Sequence, residues 1–130
     1  MSALEITAIG TVIVPVADQD RALEFWTGLG FETRIDGAFG DGQRWLEVAP
    51  AGAATSIALV AAPEEAGTGT EVSFATADAA ADHARVRARG VDADEQLIDM
   101  GEYVPPMFTL RDPDGNRFRV VERETEGVTT

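Results

Sequence analysis

Apolar and polar positions alternate at the start of the chain. Val12, Val14 and Val16 fall on one side, with Thr11, Ile13 and Pro15 on the other, which predicts a strand over residues 6–16. Pro15 lacks an N–H and suits an edge or an irregular position. The period then changes. Ala22, Phe25, Trp26 and Leu29 recur at helical spacing, behind Asp18 as an N-cap and ahead of Gly28 and Gly30 as stops. A short strand is predicted over 31–35. A glycine-rich turn with a lone Phe39 follows over 36–43, then strands over 44–49 and 55–61 joined by Pro50-Ala51-Gly52.

The same grammar then returns. Residues 11–32 lie on residues 71–92 without a gap, at an offset of 60. Both copies run strand-like to Ala-Asp (Ala17-Asp18, Ala77-Asp78), continue as a helix, and stop at Gly30 or Gly90. After the second helix, over 79–89, come a turn and short strand over 91–98, a loop over 99–106, and a hairpin. That hairpin pairs 107–110 with 117–122 around Asp112-Pro113-Asp114-Gly115. The expected fold is α+β: two βαβββ modules in tandem, with curled sheets forming a cup and helices outside. Residues 1–62 form the first module, 63–69 a linker, 70–123 the second module and 124–130 a frayed tail, within one compact domain.

Composition narrows the function. The chain has 130 residues, 45% of them hydrophobic, enough for a real core without staples. With no cysteine, disulfides, thiolate metal sites and cysteine nucleophiles are excluded. A net charge of −13 argues against nucleic acid and favours cationic ligands or partners, although solubility alone explains it too. All ten basic residues are arginine, a composition bias rather than a functional choice. No signal peptide or membrane-spanning run is evident, so the expected location is the cytoplasm. The glycines of 37–42 do not lead from a strand into a helix as a phosphate loop would. Asp112–Gly115 reads as a turn rather than a calcium loop. The sole histidine, His83, sits beside Val86 on a helix stripe and reads as a packing residue.

Several of these residues together resemble the vicinal oxygen chelate superfamily of glyoxalases, bleomycin-resistance proteins and dioxygenases. The resemblance rests on Asp18-Gln19-Asp20-Arg21-Ala22, Glu24-Phe25-Trp26, Leu29-Gly30-Phe31 and the closing Asp112–Asn116, and it covers residues 6–122. It implies paired βαβββ modules, assembled as a homodimer whose cups the partner chain completes. It also implies four metal-ligand positions, one on the first and one on the last strand of each module. Carried over, these are Thr11, Ala58, Glu71 and Arg119. Glu71 alone ligates well; alanine has no donor, and Arg119 puts a permanent cation where an ion would sit. The resemblance therefore implies no metal and no cofactor.

Glu71 and Arg119 can pair across adjacent strands, inside the cup or at its rim, or can each meet a polar ligand group. Phe39, Trp45, Tyr103, Met107 and Phe108 are candidate walls for a small molecule, together with Thr11, Ala58, Glu71 and Arg119. Trp45 and Phe108 could equally be core strand residues. The favoured function is a non-catalytic protein that sequesters an aromatic or cationic natural product or antibiotic. One alternative is an enzyme without metal that uses Glu71 as general acid or base and Arg119 as oxyanion stabiliser. The other is a metal-dependent lyase, isomerase or dioxygenase.

Overall fold

A computed structural model describes residues 4–69 and 71–123. The first module comprises β1 (Thr11–Val16), α1 (Gln19–Gly28), β2 (Glu32–Phe39), β3 (Gln43–Ala49) and β4 (Ser56–Ala61). A short 3-10 turn, Pro63–Glu65, leads into the second. There β5 (Val72–Thr76), α2 (Ala79–Ala88), β6 (Met107–Arg111) and β7 (Arg117–Glu122) follow. The sheets run β1-β4-β3-β2 and β5-β7-β6, each with its first and last strands parallel and adjacent. The architecture is α+β, with two tandem βαβββ-like modules and two open sheets.

The caps sit where the sequence places them. Asp18 accepts from the Arg21 backbone N–H, and Asp78 accepts from that of Ala81. Gly30 and Gly90 take positive φ of 98° and 77° just beyond each helix, a conformation that disfavours any side chain.

Three segments differ from expectation. Strand β1 starts at Thr11, so residues 6–10 are not strand. Residues 36–39 are not a turn but the end of β2, which runs on to Phe39. The cross-strand grip of Arg44 explains this: its guanidinium donates to both Asp36 oxygens at 2.9 and 3.0 Å and to Asp20 at 2.7 Å. Those hydrogen bonds hold the Asp36 carboxyl below the usual carboxylate range. The reversal itself is confined to residues 40–42, with Gly40 and Gly42 at positive φ. Finally, the short strand expected over 91–98 is reduced to two isolated bridges, Ala93 to Leu110 and Ile98 to Met107. The tail over 124–130 lies outside the described residues.

The core lies between each helix and its sheet and continues from one module to the other. Trp26, on α1, is fully buried. Its ring centroid lies 4.8 Å from that of Phe31, 4.7 Å from Phe118 and 5.8 Å from Phe74. A polar clip supplements this contact. The Asn116 side chain donates to the Pro15 carbonyl at 2.8 Å and accepts from the Gly67 N–H at 3.0 Å, which ties the final hairpin to β1. Gly67 cannot be replaced without strain, since a Cβ there would fall 2.4 Å from the Asp114 carbonyl oxygen.

Candidate functional site

Alternation divides each strand between two faces. In the first sheet Val14, Val16, Leu46, Val48, Ile57 and Leu59 belong to the buried core. The residues between them face the other way. The register sets Thr11 beside Ser56, Ile13 beside Ala58, Ala58 beside Glu47, and Glu47 beside Ile35. Trp45 and Phe39 share this face, with ring centroids 6.2 Å apart. It is an open, largely apolar surface on which Ile13, Ile35 and Phe39 are exposed.

At its centre is a carboxylate. Glu47 Oε1 accepts from the Ser56 hydroxyl at 2.5 Å, and Oε2 accepts from the Trp45 indole N–H at 2.7 Å. Two neutral donors fix its orientation and leave lone pairs free for a further donor. Sequence reasoning did not single out Glu47. The signal was present: it lies one alternation from Trp45, on the strand that pairs with the Ala58 strand.

The second sheet divides in the same way. Phe108, Leu110, Phe118 and Val120 face the core. Ser73, Met107, Thr109 and Arg119 face the open side, with Thr109 and Ser73 flanking Arg119 in register. Glu71 precedes β5 on this side. Its carboxylate lies 3.4 Å from Arg119 and 3.6 Å from Arg117, with its side chain 35% exposed. The Arg119 Nη1 also lies 3.9 Å from the Met107 sulfur.

The expected site residues therefore fall into four places. Thr11, Phe39, Trp45 and Ala58 share the open face of the first sheet, and Glu71, Met107 and Arg119 share that of the second. Phe108 leaves the set. Adjacent to Met107 in the chain, it points to the opposite face, where it is fully buried against His83 at a centroid distance of 5.0 Å. Tyr103 stands alone on the loop after α2, 91% exposed. Among the described residues, no hydrogen bond or ion pair joins the two open faces. His83 hydrogen-bonds the Asp94 carbonyl at 2.7 Å and packs on Phe108, as a structural histidine does.

The four positions that the resemblance assigns to metal ligands do not fit one here. Ala58 has no donor and is fully buried, and Arg119 already neutralises Glu71. Among the described residues no three His, Cys, Asp or Glu side chains converge.

The model of the glyoxalase/bleomycin resistance protein/dioxygenase superfamily matches residues 8–120. The chain belongs to that superfamily. TnmS3, an antibiotic binding protein from Streptomyces sp. CB03234, is 32% identical. The match covers 92% of this chain and 98% of TnmS3, with a TM-score of 0.79. A superfamily member from Sphaerobacter thermophilus DSM 20745 is 29% identical over 92% of this chain and all of its own, with a TM-score of 0.82. YetH, an uncharacterized protein of Bacillus subtilis (strain 168), is 34% identical over 90% of this chain and 99% of its own. No helix among the described residues is long and apolar enough to cross a membrane.

Proposed function

We propose that this superfamily member is a metal-independent, cytoplasmic binding protein that sequesters an aromatic or cationic natural product or antibiotic without transforming it. One observation carries the reading. Where a metal would need converging ligands, the chain presents a bare apolar face with aromatic rings and one oriented carboxylate. Trp45 and Phe39 offer flat contact area, Ile13 and Ile35 extend it, and Glu47 awaits a donor such as a protonated amine. The similarity to TnmS3, which binds an antibiotic, supports the same reading. A homodimer would set the second module's open face, with Arg119 and Met107, opposite the first and complete the cup.

The alternative of metal-free catalysis by Glu71 and Arg119 gains little. Two arginines flank Glu71, whose side chain is 35% exposed.

The test is native mass spectrometry and calorimetry with a panel of aromatic and cationic antibiotics, with and without divalent metals. The expected result is one unchanged ligand per cup and no stoichiometric metal, with binding weakened about tenfold or more by Trp45→Ala. A stoichiometric metal, or turnover that depends on one, would overturn the proposal.

A further inference from the structure

The protein has a second concavity, away from both open faces. It lies between α1 and α2 over the core side of the second sheet, with a volume of about 270 Å³. Trp26, Leu29, Phe31, Phe74, Val86 and Phe108 line it. We infer that this cleft is a separate binding site for a small aromatic anion, such as an aryl carboxylate of one or two fused rings.

Size and wall chemistry set the first half of that description. Small-molecule sites usually begin near ~300 Å³, so this one suits a compact guest. Its walls are interlocked. Trp26 is wedged between Phe31 and Phe118, and Phe74 stacks on Phe118 at 5.5 Å, so the rings cannot fold inward to fill the gap. Protein interiors are otherwise close-packed. An apolar ring would gain dispersion contacts that the lining residues now lack on one side.

The polar groups set the second half. The Trp26 indole N–H is buried and has no hydrogen-bond partner among the described residues. At the mouth, each Asp82 oxygen already accepts one hydrogen bond, from Arg85 at 3.1 Å and from the Thr76 hydroxyl at 2.6 Å. Arg89 is left without a carboxylate among the described residues. Its guanidinium donates to the Gly28 carbonyl, a bond that uses one of its five N–H groups. The mouth therefore carries local positive charge on a molecule whose net charge is −13. A guest with an apolar ring against these walls and an anionic oxygen beside Arg89 at the mouth would suit the cleft, whereas a cation would be repelled.

The chain has two tryptophans, and each reports on one site: Trp26 on this cleft, Trp45 on the open face of the first sheet. The probe is 2-naphthoate, titrated into nitrogen-15-labelled protein while both indole N–H signals are followed. The Trp26 signal is expected to move saturably and that of Trp45 to stay. Arg89→Gln, which keeps a donor for the Gly28 carbonyl, should weaken binding about tenfold, and the neutral analogue 2-naphthalenemethanol should bind about tenfold more weakly to the unaltered protein. If 2-naphthoate leaves the Trp26 signal in place, or binds no better than the alcohol, the inference fails. Should Arg89→Gln not fold, the comparison of acid with alcohol still decides. Because the antibiotic-binding proposal is read at Trp45, either reading can fail without the other.

Discussion

Glu71 lies between two guanidiniums at 3.4 and 3.6 Å, and all three side chains remain partly in water. Such a pair gains little, because solvent screens the attraction and long side chains must be ordered to make it. Glu71→Gln should therefore change stability by no more than about 1 kcal/mol in urea unfolding. A loss of several kcal/mol would mean that the pair is desolvated in the working assembly. Of the three roles open to Glu71 and Arg119 from sequence, the geometry matches the exposed cross-strand pair. The composition of the four ligand positions was legible only through the family resemblance, which carried them onto Thr11, Ala58, Glu71 and Arg119. The role of Glu47 was not. A glutamate in a strand reads as a solvent-facing residue until Ser56 and Trp45, brought close by pairing, are seen to bind it.

The turn between β6 and β7 is an element held by one buried carboxylate. Asp112 accepts from the backbone N–H groups of Asp114 and Asn116 at 3.0 and 2.8 Å and from the Asn116 side chain at 2.9 Å. Those bonds favour the ionised form, yet burial outweighs them and, with help from the Asp114 charge, pushes the carboxyl above its ordinary value of 3.8. The sign follows from linkage. Between 3.8 and the raised value, the folded protein holds a proton that the unfolded chain has lost. This contribution to stability is complete below 3.8 and is lost as pH rises through the folded value. The stability of the natural protein relative to Asp112→Asn should thus decline from acid toward neutral pH, as measured by urea unfolding across that range. A relative stability that climbs with pH would reverse the assignment. Asp112→Ala, which strands three donors, should be destabilised by about 2–3 kcal/mol at neutral pH. The turn was legible because Asp-Pro-Asp-Gly is a strong local signal. The β2 extension was not, because glycines at 37, 40 and 42 mask a strand stabilised by Arg44 from across the hairpin. The missing strand over 91–98 was a failure of the opposite kind. The repeat implied an equivalent of β2, but this segment makes only two bridges.

For the whole molecule, the question is what covers the open face of the first sheet. Ile13, Ile35 and Phe39 are 61%, 46% and 50% exposed there, and Leu4, Ile6 and Ile9 of the segment before β1 are exposed as well. Monomeric proteins seldom leave contiguous apolar patches of more than a few hundred Å² in water. The second sheet of the same chain does not cover it, since the described residues show no polar contact between the two open faces and the modules meet instead through Trp26 and Asn116. The proposed second copy would, through a self-complementary two-fold contact. The natural protein should then run in light scattering at twice its chain mass of 13.8 kDa. Ile13→Asp combined with Phe39→Asp should shift it toward the single-chain mass, because two carboxylates would be trapped in an apolar contact. The same substitutions should abolish antibiotic binding at the first sheet while leaving the response of Trp26 to 2-naphthoate intact, since the cleft lies within one chain. A natural protein that stays monomeric at micromolar concentration would remove the two-chain cup. The open face would then bind its ligand as a shallow surface within one chain. A dimer insensitive to both substitutions would place the interface elsewhere and leave the first sheet open to ligand from solvent.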